Sequence, residues 1–157
     1  MTPRPPDPPQ LRLDVRRTGR EGRIVEIALA VPSDLGYVGE AVELVATQCR
    51  DAPLSPRRLR FNLRTALAEA LANAIAYGNR HDAAKLVRVR VEVLADAVRI
   101  HVTDDGDGFD PADVPDPTVP ENLERENGRG LFVLRHLVDS VSFNDKGNDL
   151  CLILRAG

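Results

Sequence analysis

Two polar side chains interrupt an otherwise apolar helical segment. From Thr65 to Tyr77 the sequence is TALAEALANAIAY, and its strongly polar members are Glu69 and Asn73. Residues four apart lie on the same helical face. A helix that is small or apolar on nearly all sides is expected to be buried, and an unpartnered buried carboxylate is costly. The pair therefore predicts a partner, a ligand or a metal ion at this face; the alternative interpretation is an ordinary solvated stripe.

A second acidic group stands where a strand pattern ends. The alternation of apolar residues from Val98 to Val102 continues in phase to Asp104, so a carboxylate is predicted on the apolar face. The sequence DGDG follows at residues 105–108, and its glycines permit close backbone approach. A carboxylate facing a pocket can accept a hydrogen bond from an amino group such as the exocyclic amine of a purine. The alternative is a common Asp-Gly turn, whereas a calcium loop does not fit, because Phe109 stands where a further oxygen ligand is needed.

A glycine-rich segment precedes a short helical pattern. The sequence NGRG at residues 127–130 stands directly before LFVLRHL. Glycines at a helix N-terminus leave backbone N–H groups open and let an anion come close. The segment is not a Walker A loop, since no GK[ST] follows, and Val133 stands where a dinucleotide fingerprint needs its third glycine. By itself it fits a phosphate-binding helix start or a plain loop-to-helix junction.

Hydrophobic periodicity predicts the elements that must position these groups. Alternating apolar residues predict strands at residues 11–17, 23–31, 87–93, 98–102, 141–144 and 150–154. Helical periods predict helices from 34 to about 50, from 56 to about 77 and from 130 to about 139. Ser33 is the expected N-cap of the first helix, and Ser55-Pro56 is the start signal of the second. Together they predict an α+β domain in which a mostly antiparallel sheet carries helices on one face.

Composition limits the classes of protein open to this chain. Its 157 residues suit one domain, its net charge of −3 argues against general nucleic-acid binding, and 4% aromatic residues argue against a base-stacking platform. No apolar run is long enough to cross a membrane and no secretory signal is evident, so a cytoplasmic location is expected. Cys49 and Cys151 provide neither zinc spacing nor a disulfide framework. Cys151 is predicted to be buried in a strand and Cys49 to lie near a helix end.

Proline is concentrated in two places. Five of the 12 prolines lie in residues 1–10, which are predicted to form a disordered tail. Four more lie between the second and third motifs, at Pro111, Pro115, Pro117 and Pro120, in an acidic segment without an apolar period. A long irregular segment inside a domain requires an explanation.

The order of these motifs resembles that of a known superfamily. The chain carries ALAEALANAIAYGN, then VTDDGDGFDP, then a long loop and GRGLFVLRHLVDSV. This arrangement resembles the GHKL (Bergerat) ATP-binding fold, a two-layer α/β sandwich, and within it most of all the bacterial anti-sigma-factor serine/threonine kinases. The resemblance covers nearly all of residues 11–157, which would form one histidine-kinase-like ATP-binding domain, with residues 110–127 as its nucleotide lid.

The resemblance implies roles for individual residues. By similarity, Asn73 would coordinate Mg²⁺ on the nucleotide phosphates, and Glu69 would be the general base that takes the proton from the attacking serine hydroxyl, or from water. Asp104 would accept from the adenine amino group, and Gly106 and Gly108 would let the backbone close on the base and ribose. Gly128 and Gly130 would present backbone N–H groups to the phosphates, and Arg129 would add positive charge there.

The resemblance also implies partners. A kinase of this kind would phosphorylate a STAS-domain anti-anti-sigma protein and regulate a sigma factor, usually as a homodimer and without direct contact to nucleic acid or membrane. The alternative is a nucleotide-binding module that sequesters a sigma factor with little or no kinase activity. A partner surface for acidic residues could be formed by Arg57, Arg58, Arg60 and Arg64, whose other interpretation is a solvated basic face. The three histidines all follow the Glu69/Asn73 helix, which argues against a sensor histidine kinase.

Overall fold

Six strands and three α-helices make up the described part of the chain. The computed structural model describes residues 2–4, 10–19, 24–106 and 126–156, with the backbone alone for residues 126–129. The strands are β1 (Arg12–Thr18), β2 (Ile24–Pro32), β3 (Leu86–Val93), β4 (Ala97–Thr103), β5 (Ser140–Phe143) and β6 (Asp149–Arg155). All neighbours pair antiparallel in the order β1-β2-β3-β4-β6-β5. The six predicted strands are confirmed to within two residues at each end.

One face of the sheet is the core. The register brings Ile27, Val91, Ile100 and Leu152 into one row across four strands, and all four side chains are fully buried. Their neighbours in sequence point the other way, and they are half-buried or, as Arg90 on β3 is, exposed. Because successive strand residues alternate between faces, period-two apolar residues can cover one side only. The predicted α+β class, with helices on one face of an antiparallel sheet, is confirmed.

The helices pack on that apolar face. They are α1 (Val38–Gln48), α2 (Leu63–Asn73) and α3 (Glu126–Leu137). A 3-10 turn, Leu35–Tyr37, precedes α1, and two π-helical segments, Arg58–Asn62 and Ala74–Gly78, flank α2. The second predicted helix is therefore continuous from residue 56 to residue 78, but it is widened at both ends. Ser55 contributes to its start, since Ser55 Oγ accepts from Arg58 N at 3.2 Å.

The predicted N-cap of the first helix is wrong. Asp34, not Ser33, caps the 3-10 turn, because its side chain accepts from Gly36 N at 2.8 Å. Ser33 is buried and donates from Oγ to Lys85 O at 2.6 Å. Local pattern could not separate two adjacent capping residues, because the choice depends on a contact 52 residues away in sequence.

Two further differences concern α3 and the cysteines. The helix α3 begins at Glu126, four residues before the predicted start, because helical backbone runs through the glycine-rich segment. Cys151 is half-exposed, since its place in the register, opposite His101, puts it on the outer sheet face, so the predicted burial is wrong. Cys49 directly follows α1, as predicted, and burial raises the pKa of its thiol to about 12.

Some predictions fall outside the described residues. Residues 107–125, which include most of the predicted lid, are not described, nor are residue 1 and residues 5–9 of the predicted tail. Among the helices that are described, none has the length and apolar character needed to cross a bilayer.

Candidate functional site

The first cluster of site residues lies where α2 and α3 meet. Glu69 and Asn73 occupy one face of α2 and are half-buried, which is less than the apolar pattern predicted. Gly130 of α3 is buried against them. A Cβ atom built on Gly130 would lie 2.7 Å from both Glu69 Oε1 and Asn73 Nδ2, closer than real Cβ contacts. The structure therefore brings the first and third sequence motifs together, and glycine permits the close approach of the two helices.

This cluster suits a divalent cation chemically. Mg²⁺ prefers oxygen ligands, needs few of them from protein and keeps several waters. The Asn73 amide and the Glu69 carboxylate are half-buried and lie one helical turn apart on the same helix face, next to Gly130. The donor set therefore fits a divalent cation in its chemistry.

The second cluster lies at the C-terminal end of the same helix. Asp104 directly follows β4, and its side chain contacts Gly78, the last residue of the π-helical segment after α2. A Cβ atom on Gly78 would lie only 2.9 Å from Asp104 Cβ. The predicted placement of this carboxylate on the helix-covered face is confirmed.

Gly106 closes this second cluster. Its N–H donates to Asp104 Oδ1 at 2.9 Å. A Cβ atom on Gly106 would lie 2.7 Å from the carbonyl carbon of Gly78. The close approach that this glycine permits in the structure is thus to the backbone of Gly78, whereas the sequence alone indicated an approach to a ligand.

The two adjacent carboxyl groups at the end of β4 have opposite electrostatic environments. Burial raises the pKa of Asp104 above its ordinary value, and this outweighs the hydrogen bond from Gly106 N–H. The Arg88 guanidinium, whose Nη1 lies 2.6 Å from Asp105 Oδ1, holds the pKa of Asp105 below its ordinary value. Asp105 is therefore engaged in an ion pair, and Asp104 is the carboxyl group that faces the helix.

Two asparagines that the sequence did not single out hold this carboxylate in place. Asn148, just before β6, exchanges two hydrogen bonds with Asp104: Asp104 N donates to Asn148 O at 2.9 Å, and Asn148 Nδ2 donates to Asp104 O at 3.1 Å. Asn79 accepts on Oδ1 from Asp105 N at 2.7 Å. Asn79 directly follows Gly78, a position that suits a helix cap. Its local sequence therefore gives no indication that its side chain contacts a distant loop.

The two clusters are separated by the length of one helix segment. At about 1.5 Å per residue, Glu69 and Asn73 lie about 6 Å apart along the axis of α2. Gly78 lies one π-helical segment further on. A molecule with an amino-bearing ring at one end and an anionic chain at the other could bridge the two clusters. A single rigid element therefore sets the distance between the ends of the site.

Three predicted site residues are described only partly or not at all. Gly108 lies outside the described residues. For Gly128 and Arg129 the structure places the backbone in the first turn of α3. Gly128 is among the first N–H groups of the helix, which lack intrahelical partners, whereas Gly130 lies beyond them.

The chain is similar in sequence to several known proteins. A family model described as a histidine kinase-like ATPase domain matches residues 31–154. The serine-protein kinase RsbW of Oceanobacillus iheyensis is 26% identical over 126 residues, which span 76% of this chain and 79% of that protein. The anti-sigma F factor of Clostridium beijerinckii is 34% identical over 123 residues, which span 74% and 84%. The serine-protein kinase RsbW of a Staphylococcus aureus strain is 32% identical over 87 residues, which span 50% and 54%.

Proposed function

The chain belongs to the histidine kinase-like ATPase domain family, and on this premise we propose that it is an ATP-dependent serine/threonine protein kinase of the anti-sigma-factor type. Its substrate would be a STAS-domain anti-anti-sigma protein, and its second partner a sigma factor. The observation that carries the proposal is the convergence of Glu69, Asn73 and Gly130 at one end of the site, with Asp104 at the other. The names of the relatives support the same type of activity.

The Asp104 end would bind the adenine ring. A carboxylate accepts hydrogen bonds only, so it pairs with the amino group of adenine. The Gly78 and Gly106 backbones, packed against each other, leave this edge of the pocket without side chains of their own. Residues 110–127 would form the lid over the nucleotide.

The α2–α3 end would hold the phosphates. Asn73 would bind Mg²⁺, and the ion would neutralise charge on the phosphate oxygens. Gly128 would present a backbone N–H at the helix N-terminus, with Arg129 adjacent in the sequence. Gly130 would contribute by close packing, since its position inside α3 takes it away from the free N–H groups.

Glu69 would be the general base. Its carboxylate would accept the proton of the serine hydroxyl as that oxygen attacks the terminal phosphorus, and would accept it from water in a slow ATPase reaction. Its place one turn before Asn73 puts the base beside the phosphate end rather than the adenine end. Such a base is expected to contribute about 10²–10⁴-fold to the rate.

Phosphotransfer tests the proposal directly. The wild-type chain with ATP labelled at the γ-phosphate is expected to label a cognate STAS protein, and Glu69→Gln is expected to lose about 10²-fold or more of that rate. Glu40→Gln, an exposed glutamate in the first turn of α1, is the matched control and should keep full activity. Undiminished transfer by Glu69→Gln would remove the base assignment, and no transfer by the wild type would reject the kinase.

A second candidate function is sequestration of a sigma factor with little kinase activity. Of the four arginines at the start of the second helix, Arg58 is bound to Asp139, and Arg64 is paired with Glu43. Arg57 lies over the ring of Phe61, 5.8 Å from its centroid, and that ring is 52% exposed. An exposed aromatic ring beside cationic groups is typical of protein-binding surfaces.

Co-purification separates the two candidates. A sigma factor retained by the chain without ATP hydrolysis or phosphotransfer supports sequestration, and Phe61→Ala is expected to weaken that complex without changing ATP affinity. A homodimer is expected from the resemblance, and light scattering on the purified chain measures it. Loss of ATP binding in Phe61→Ala would show that the ring is not a separate protein-binding surface.

A further inference from the structure

One buried asparagine contacts both the end of the second helix and the backbone next to Asp104. Asn79 is 1% exposed, and every polar position of its side-chain amide has a partner. Nδ2 donates to Ser33 Oγ at 2.9 Å and to Leu86 O at 3.1 Å, and Oδ1 accepts from Asp105 N at 2.7 Å. A buried amide with all its hydrogen bonds made has one orientation, because any rotation would leave a donor or acceptor unpaired.

These contacts fix the peptide unit that follows the Asp104 side chain. The C=O of this unit belongs to Asp104 and accepts from Asn148 Nδ2 at 3.1 Å. The N–H belongs to Asp105 and donates to Asn79. A planar unit held at both ends cannot rotate, so the Asp104 carboxyl group is kept against Gly78.

The same asparagine also fixes the end of the helix. Asn79 N donates to Ala74 O at 2.7 Å, which closes the π-helical segment directly after Asn73. The next two residues, Arg80 and His81, have φ values of 50° and 56°, a left-handed conformation that is unfavourable for residues with a Cβ. The buried contacts of Asn79 hold this strained turn, and with it the distance from the Asn73 end to the Asp104 end.

We propose that Asn79 is a positioning residue that sets the Asp104 carboxylate for the amino group of adenine and so determines the preference for ATP over GTP; this rests on the proposed nucleotide-binding function. Guanine carries a carbonyl oxygen where adenine carries its amino group, so a correctly placed carboxylate attracts one base and repels the other. A carboxylate free to shift loses that difference, and it can also reach the N–H groups that adjoin the carbonyl group of guanine.

The experiment measures dissociation constants for Mg-ATP and Mg-GTP by calorimetry. In Asn79→Ala the constant for ATP is expected to rise about tenfold, the loss of one well-oriented hydrogen bond to a charged group, while that for GTP changes by less than about threefold. Ser33→Ala is the matched control, since it removes a partner from the same buried network and leaves the Asn79–Asp105 bond intact. It should lower the Tm and keep the ATP preference.

The outcomes distinguish this inference from the function on which it rests. An equal rise in both constants for Asn79→Ala would assign the residue a purely structural role and overturn the inference, while the proposed kinase would stand. Wild-type protein that binds both nucleotides equally overturns the inference alone, and wild-type protein that binds neither overturns both. Asn79→Ser serves where Asn79→Ala does not fold, because a hydroxyl is polar but too short to reach Asp105 N, and the same shift in the ATP/GTP ratio is expected of it.

Discussion

The contact between Gly130 and the Glu69/Asn73 pair makes an alanine at that position informative. In Gly130→Ala the new Cβ would meet Glu69 Oε1 and Asn73 Nδ2 at 2.7 Å, and ordinary van der Waals contact begins near 3.4 Å. Each side-chain end must therefore move by about 0.7 Å. Both ends belong to half-exposed, flexible side chains, so they can move without displacing backbone.

The expected effects on stability and activity have opposite signs. Alanine in place of glycine inside a helix stabilises by about 0.5–1 kcal/mol, so the Tm of Gly130→Ala should stay level or rise by about 1–4 °C. A catalytic group misplaced by about 1 Å can cost about 10²-fold, so a shift of about 0.7 Å in the Glu69 carboxylate should lower kcat at least about tenfold. The affinity for ADP should fall less than kcat, because the Asp104 end, which would hold the adenine ring, is not touched.

The assay combines thermal melting, ADP calorimetry and transfer of γ-phosphate on one preparation. The control is Gly39→Ala in α1, where a Cβ meets no atom of the described residues within 4 Å. It should raise the Tm slightly and keep full activity. Wild-type kcat in Gly130→Ala would refute the argument that the two helices meet at the reacting groups, and a large loss of Tm would show that the contact is less flexible than the structure indicates.

Two further predictions follow from shifted pKa values. The Asp139 carboxylate accepts hydrogen bonds from Arg58 Nη1 and from Arg155 N, each at 2.7 Å, and the bond from Arg58 lowers the pKa of Asp139. The Asp139 carboxylate therefore stabilises the fold above the ordinary aspartate pKa of 3.8. This stabilisation is lost as the pH falls through the lower pKa of the folded state. Asp139→Asn should lower the Tm by about 1–4 °C at pH 7, a loss of about 0.5–1 kcal/mol for an ion pair near the surface. Melts in acid should show the gap closing, whereas a constant gap would contradict the assignment. Burial raises the pKa of Asp104, so its carboxylate protonates at a higher pH than an ordinary aspartate. Calorimetry at several pH values should show that acidification lowers the ATP affinity of the wild type more steeply than that of Asp104→Asn. The titration of ATP itself affects both proteins equally, so the difference between them reports on Asp104. Parallel curves would reject Asp104 as the acceptor.

Strands and their faces were predictable because they rest on local pattern. Val87 to Val93 and Val98 to Val102 alternate strictly, and period two leaves one choice of buried face. The same alternation predicts that Asp104 lies on the sheet face that the helices cover. The α3 start was missed because glycines usually signal a break, whereas here helical backbone continues through Gly128 and Gly130.

Contacts between distant segments were not predictable from pattern. Ser33 forms hydrogen bonds with Lys85 and Asn79 and does not cap a helix. This depends on how the fold brings together β2, β3 and the turn after α2. The exposure of Cys151 depends on its register opposite His101, which its own apolar neighbours do not reveal.

The sequence by itself determined the kinds of groups available and their order: a Glu-x-x-x-Asn helix face, a carboxylate at the end of a strand and glycines in a third segment. Periodicity carries this information because each helix or strand has one face that must be buried, and the sequence of that element alone shows which residues lie on it. Only the tertiary structure decided which groups meet. Gly130 reaches Glu69, Gly78 reaches Asp104, and Asn79 accepts from the backbone of Asp105, because close backbone approach and a buried amide are satisfied by residues far apart in the chain.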